Sequence, residues 1–342
     1  MSPLTRYLDW RKADLAWLLA LVFIVGLLPL LIGNDYYQNL LVLLFIYAGL
    51  ASAWNILGGF AGQFSLGHTA FFGVGAYTST LLYNYLGISP WLGMLAGGLI
   101  SMLLGLIIAY PAFRMRGVFF AMATLAFGET VRILLIYSRN FIELPYGLSI
   151  NYEPGFSRMI FADRWEYAYL TGAYLVLVLA VAFLISRSFM GFYLRAIRDN
   201  EDAAIASGIP IRAYKLIALL ASAFLTSVGG TLMAQYILYI EPSTVFSVAF
   251  SVDLPLMAIL GGIGTIAGPV IGAAIALPLR EILLEMLGNA GSGMHLVVYG
   301  LLLVVIVVLL PHGLLGGVRS LSQRLGVGRR TPAIAPQKAE QG

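Results

Sequence analysis

The stretch RSFMGFYLRAIRDNEDAAIASGIPIRAYK, Arg187 to Lys215, decides how this chain folds. It is one long charged segment between two apolar parts of the sequence, and we call it the charged stretch. Within it, Asp199 is predicted to cap a short helix that Gly208 and Pro210 end. A short polar helix tied at both ends to apolar segments can be pushed as a rigid unit by a protein docked against it. Capping and charge alone leave an ordinary amphipathic connector equally open.

The composition places the chain in a membrane. Of its 342 residues, 60% are hydrophobic and 11% are charged, against roughly 25% charged residues in soluble domains. A soluble protein of this length could bury a core, but this composition cannot supply its polar surface. The sequence contains no Cys, which excludes disulfides and thiolate metal sites. We therefore predict an all-α polytopic membrane protein, and we expect neither a metal site nor a cofactor.

The sequence has ten apolar runs, most of them close to the ~20 residues that a helix needs to cross a bilayer. With residues 1–14 in the cytoplasm, six crossings return the chain to the cytoplasm at the charged stretch. Fifteen of the twenty basic residues then lie on the cytoplasmic side, as the positive-inside rule requires. The residues 1–342 are thus predicted to form a single transmembrane domain with a flexible cytoplasmic tail, 319–342. The runs lie near 15–32, 38–57, 66–86, 90–113, 117–137, 167–186, after Lys215, and near 249–262, 268–287 and 295–310.

Two Gly-rich segments, 58–79 (GGFAGQFSLGHTAFFGVGAYTS) and 261–275 (GGIGTIAGPVIGAAI), interrupt the apolar pattern. Irregular backbone at membrane depth must be satisfied by protein or by a water-filled cavity, so we interpret these breaks as lining a substrate path. Paired breaks with similar beginnings, Leu-Gly-Gly at 57–59 and 260–262, are typical of transporters built from two related halves. The predicted path residues are Gly62, Gln63, Ser65, His68, Glu129, Gly262 and Thr265.

Each of these residues also has a structural interpretation. Glycine at a helix contact needs no path, because it simply lets two helices approach closely. His68 can pair with Ser65, three residues earlier, as a hydrogen-bonded packing residue. Glu129 can form an ion pair with Arg132 on one helix face.

Further patterns concern packing and the external side. Small residues at every fourth position of 93–109 and of 218–234 predict two helix faces that pack closely. The segment 140–165 is predicted to be an external loop of about 25 residues, either a docking surface or a lid. Arg280, Glu281 and Glu285 are placed at the external end of the ninth crossing, with their charged groups reaching towards the surface.

Together these motifs resemble one family. The run DAAIASG, 202–208, is similar to the cytoplasmic Glu-Ala-Ala-xxx-Gly loop of ABC importer permeases, with Asp in place of Glu. The wider RAIRDNEDAAIASGIPIRAYKL, both Gly-rich segments and the closing PHGLLGG, 311–317, resemble the branched-chain amino-acid permease family. The resemblance implies the ABC importer permease fold and a set of residues that couple the chain to an ATPase. They are Arg195, Arg198, Asp199, Glu201, Asp202, Ala203, Ala204 and Gly208.

The resemblance also implies the function. None of the three lysines follows a Gly, so the chain has no phosphate loop, and we predict a non-catalytic subunit whose ATP hydrolysis occurs elsewhere. The implied partners, in a cell inner membrane, are a homologous permease subunit, two ABC ATPase subunits and a periplasmic or extracellular substrate-binding protein; no nucleic acid is expected. The implied substrates are branched-chain or related hydrophobic amino acids, although similar permeases carry urea or short amides.

The rival class is an ion-coupled secondary amino-acid transporter. Broken helices suit that class as well. It would need an intramembrane acid for its coupling ion, and the candidates are Glu129, which has Arg132 at hand, and Asp253. The spacing of His68, His295 and His312 offers no metal-ligand pattern. The sequence also shows no nucleophile paired with a base, so it does not indicate an intramembrane enzyme.

Overall fold

The computed structural model of the chain describes residues 17, 19–142, 146–287, 293–309 and 313–316. The predicted N-terminal segment 1–14 and the predicted tail 319–342 lie outside the described residues. The helices are α1 (Leu19–Leu31), α2 (Asp35–Asn55), α3 (His68–Leu86), α4 (Pro90–Ala112), α5 (Val118–Ile142), α6 (Arg164–Arg187), α7 (Phe189–Asp199), α8 (Glu201–Ala206), α9 (Ile211–Ile237), α10 (Pro242–Val245), α11 (Val248–Gly261), α12 (Gly268–Leu287) and α13 (Met294–Leu309).

Ten of these helices lie at the ten predicted apolar runs, and the multi-pass all-α fold is confirmed. Six helical segments within the described ranges are long and apolar enough to cross a membrane by themselves. The helices α3 and α12 have 19 and 20 residues but are more polar, whereas α13 and the described part of α1 are shorter. The spanning segments are 35–60, 90–112, 118–138, 164–187, 211–237 and 242–261.

The centre of the bundle is α2, which is the most buried of the spanning helices. Its run from Leu40 to Trp54 is apolar almost all round, and a helix of that kind is stable only when other helices surround it. It packs against α6, α9, α11 and α12. Because α2 leads directly into the first Gly-rich break, this burial fixes where the break lies.

The helices α3, α4 and α9 pack against one another along the stripes of small residues. A Cβ atom added to Gly97 of α4 would lie 3.1 Å from the Cα atom of Gly75 on α3. A Cβ atom on Gly230 of α9 would overlap the carbonyl oxygen of Phe72. Both close-packing faces that the stripes predict are therefore confirmed.

The segment between α5 and α6 is shorter than the predicted loop 140–165, because both helices extend into it. The helix α5 continues to Ile142, and α6 begins at Arg164, where Asp163 and Glu166 form a capping box. Between them, β1 (Leu148–Ser149) pairs antiparallel with β2 (Tyr239–Ile240), which directly follows α9. The segment is thus anchored at the end of the bundle where α9 ends, and its predicted role as a docking surface or a lid stays a prediction.

Candidate functional site

The charged stretch folds into two short helices, α7 and α8, where the sequence predicted one. Asn200 separates them with extended backbone (φ −159°), and its side-chain oxygen accepts a hydrogen bond from the Ala203 N–H at 3.0 Å. Asn200 is therefore the cap of α8, and the prediction that Asp199 caps it was wrong, because Asp199 is still the last helical residue of α7. Gly208 follows α8 with a positive φ of 79°, so the predicted end of the helix is confirmed. The helix α9 begins at Ile211, earlier than the predicted start after Lys215.

The first turn of α8 is held by charged side chains from two other parts of the chain. The Lys215 ammonium group of α9 lies 2.9 Å from a Glu201 carboxylate oxygen, and the Lys215 side chain is 1% exposed. Arg116, in the turn between α4 and α5, lies 3.0 Å from Asp202 and 3.9 Å from Glu201. These pairs attach α8 both to α9 and to the connection between α4 and α5.

The two faces of α8 differ. Ala204 is buried and packs with Ile197 of α7 and Ile211 of α9. Ala203 and Ile205 are exposed. The face that is available to another protein is therefore small and mostly uncharged, and Ala204, predicted as a coupling residue, faces inward.

Arg198 of α7 joins the charged stretch to both Gly-rich breaks. Its Nη1 atom donates a hydrogen bond to the Gly59 carbonyl oxygen at 3.0 Å. A Cβ atom on Gly62 or on Gly264 would run into the Arg198 side chain, and both glycines have positive φ, 69° and 74°. The glycines at these two positions thus let both breaks close around one arginine. Arg195, also of α7, donates instead to the Ser186 carbonyl oxygen at 3.3 Å.

Asn55, the last residue of α2, bonds one break to the other. Its amide nitrogen donates to the Thr265 carbonyl oxygen, and its amide oxygen accepts from the Gly264 N–H, both at 2.8 Å. The Thr265 hydroxyl donates to the Gly262 carbonyl oxygen at 2.7 Å and braces the second break. The sequence analysis did not single out Asn55, although an Asn at the end of an otherwise apolar run was a usable signal.

The irregular backbone of the first break is satisfied by protein. The chain is π-helical over Ile56–Phe60 and non-helical from there to α3. The Trp54 indole N–H donates to the Ser65 carbonyl oxygen at 2.7 Å, and the Thr124 hydroxyl accepts from the Leu66 N–H at 3.0 Å. Of the two environments that tolerate irregular backbone in a membrane, protein contact is the one seen at these groups.

His68 and Ser65 pair as predicted, at 3.1 Å, and His68 is fully buried. The other ring nitrogen of His68, Nε2, lies 2.7 Å from the Ser222 hydroxyl, which itself donates to the Ala53 carbonyl oxygen. Since that hydroxyl has one proton, it accepts from Nε2–H. The pair therefore bonds α3 to α2 and α9 as a packing group.

The remaining predicted path residues are partly exposed. Gln63 is half-buried and donates a long hydrogen bond, 3.4 Å, to the Ala61 carbonyl oxygen. Glu129 forms the predicted ion pair with Arg132, and 37% and 30% of these side chains are exposed on α5. The structure thus gathers Gly62, Gly262 and Thr265 around Arg198 and Asn55, whereas Ser65 and His68 lie in a helix contact. A role in a substrate path stays a prediction for all of them.

We predicted that the charged group of Arg280 reaches towards the surface, but in the structure it also forms an ion pair. Its guanidinium group lies 3.4 Å from the carboxylate of Asp253 on the neighbouring helix α11. The Asp253 side chain is 16% exposed, so the pair is largely enclosed between helices. Packing of α11 against α12 brings the two charges together, and the spacing of 27 residues gave no local signal for it.

A multi-pass helical bundle with a short exposed helix, next to an arginine that contacts both breaks, is the structure of a membrane permease subunit. Residues 36–307 match the family described as branched-chain amino acid transport system, permease component, and the chain belongs to this family. Its permeases are subunits of ABC transporters, so the chain is one part of a larger complex.

Two relatives show the extent of the similarity. The chain is 28% identical over 324 residues to the high-affinity branched-chain amino acid transport system permease protein LivM of Escherichia coli, covering 86% of this chain and 74% of the relative. It is 23% identical over 279 residues to the probable LivM permease of Methanocaldococcus jannaschii, covering 73% and 78% of the two chains.

Proposed function

We propose that this chain is a membrane-spanning subunit of an ATP-driven importer of branched-chain or related hydrophobic amino acids. It works in the cell inner membrane with a homologous permease subunit, two ABC ATPase subunits and an external substrate-binding protein. The observation that carries the proposal is the position of α8: its Asp202, Ala203 and Ile205 are exposed and suited to docking, while its other side is fixed to the bundle.

The contacts of the charged stretch support coupling through α8. A force on α8 reaches α9 through Glu201 and Lys215, and reaches the connection between α4 and α5 through Arg116. The adjoining α7 carries Arg198, which is bonded to the first break and lies against the second. Movement of a docked ATPase would therefore move two spanning helices and both breaks together.

The paired intramembrane acids weigh against an ion-coupled secondary transporter. Such a transporter needs a carboxylate that is free to take up its coupling ion. Glu129 has Arg132 as its partner, and Asp253 has Arg280. The names of the relatives support amino acids as substrates in preference to urea or short amides.

Reconstitution of the complete complex in proteoliposomes tests the proposal. ATP is enclosed on the ATPase side, and the binding protein is added outside with radiolabelled leucine, valine or urea. We expect leucine and valine to accumulate only with hydrolysable ATP, and ionophores to have no effect. Accumulation of urea alone would establish the amide permease instead, and uptake driven by an ion gradient without ATP would establish secondary transport.

A further inference from the structure

A cavity of about 160 Å³ lies at the end of the bundle opposite α8. Its walls come from α2, α3, α9 and α11, and the segment from β2 through α10 closes one side. The helix α9 begins next to α8 and has 27 residues, so its far end lies about 40 Å away. The cavity is therefore separate from the site around Arg198.

The inner part of this cavity is apolar. It is lined by the buried residues Phe72, Ala76, Val245 and Phe250, together with Met233. A protein cavity of ~150 Å³ lined by aliphatic and aromatic side chains stays dry and binds a benzene molecule. A cavity of this size and lining therefore suits a compact hydrocarbon group, such as a branched chain of four carbons.

The mouth of the cavity is exposed and carries one acidic group. Tyr239 and Thr244 are exposed at the rim, beside Glu241. The Glu241 carboxylate accepts hydrogen bonds from the hydroxyls of Ser243 (2.7 Å) and Thr244 (2.8 Å), which lower its pKa. Its negative charge favours an ammonium group at the mouth and disfavours the phosphate of a lipid.

An apolar interior below an anionic mouth matches the side chain and the ammonium group of a hydrophobic amino acid. We infer that this cavity holds the side chain of the transported amino acid, with its ammonium group at the mouth beside Glu241, before the substrate passes through the bundle. The inference rests on the proposed function and adds to it a binding position.

Enlarging the cavity tests this inference through a gain of function. Phe250→Ala removes a ring that packs against Tyr47 and Phe72, so the cavity can take a larger side chain. We expect the uptake of phenylalanine relative to leucine to rise ~10-fold or more, since filling or overfilling an apolar pocket by a few methylenes changes selectivity by that order. Met233→Ala, at a less buried wall position, should shift selectivity in the same direction.

Filling the cavity tests the inference through a loss of affinity that is selective for the larger side chain. Ala76→Leu should raise the KM for leucine ~10-fold and change the KM for alanine much less, because the alanine methyl group needs little of the cavity. Phe119→Ala, on the exposed face of α5, is the matched control. It should change neither the uptake of phenylalanine relative to leucine nor the KM for leucine relative to alanine.

The outcomes separate this inference from the proposed function. If the wild-type complex takes up no hydrophobic amino acid, the proposed function itself fails. If it takes up leucine but the assembled Phe250→Ala and Met233→Ala complexes keep wild-type selectivity, only the cavity inference is overturned. An equal loss of leucine and alanine uptake in an assembled Ala76→Leu complex would overturn it as well.

Discussion

Lys215 of α9 holds Glu201 of α8 through an ion pair of 2.9 Å in which the lysine side chain is 1% exposed. A lysine so enclosed needs an acidic partner, since leaving a buried polar or charged group unpaired costs about 1–3 kcal/mol or more. Removing both members of such a pair costs less than removing one. The pair therefore fixes where α8 sits on the end of α9.

Glu201→Gln should lower the thermal stability of the complex and raise the ATP consumed per amino acid transported, because Lys215 loses its partner. Adding Lys215→Met should restore part of the thermal stability and should lower the ATP consumed per amino acid towards the wild-type value. Asp202→Asn is the control for thermal stability alone: Asp202 is 76% exposed, so its pair with Arg116 contributes about 1 kcal/mol or less. Strictly additive effects in the double variant would mean that the pair does not hold α8.

The two neighbouring alanines of α8 give a matched test of docking. Ala203 is exposed, so Ala203→Arg should leave the permease assembled and abolish substrate-stimulated ATP hydrolysis and uptake. Ala204 is 4% exposed between Ile197 and Ile211, so Ala204→Arg should instead destabilise the protein by about 3 kcal/mol or more. Uptake at the wild-type rate in Ala203→Arg would rule out docking on this face.

Substitutions in the first break test whether its residues line a substrate path or only let helices pack closely. Gly62 has φ 69° and lies against Arg198, so Gly62→Leu should impair assembly, since a side chain there is strained and overlaps that arginine. Gln63 is half-buried beside it, and Gln63→Leu should leave expression and basal ATP hydrolysis intact while lowering uptake. Normal uptake kinetics in Gln63→Leu would remove this residue from the path and leave packing as the function of the break.

The sequence predicted the helices and missed the contacts between the breaks, for a physical reason. Length and hydropathy are local properties, so the ten apolar runs identify ten helices. Arg198 and Gly59 are 139 residues apart, and Asn55 and Thr265 are 210 apart, so only the packed bundle brings them together. The cap of α8 was misplaced by one residue because Asp199 and Asn200 have nearly equal preference for that position.

The orientation of the chain can be tested without removing any native thiol, because the sequence contains no Cys. Ser157 and Ser207 are both exposed, and they lie respectively in the segment near the far end of α9 and directly after α8. A Ser→Cys change is nearly isosteric, so either variant should fold. In intact cells an impermeant thiol reagent should label Ser157→Cys and should reach Ser207→Cys only after permeabilisation, since the basic charged stretch is expected in the cytoplasm.

Ser222→Cys, which is fully buried, should remain unlabelled in both conditions and controls for unfolded protein. Labelling of Ser207→Cys but not of Ser157→Cys in intact cells would reverse the orientation, and α8 could then not meet an ATPase.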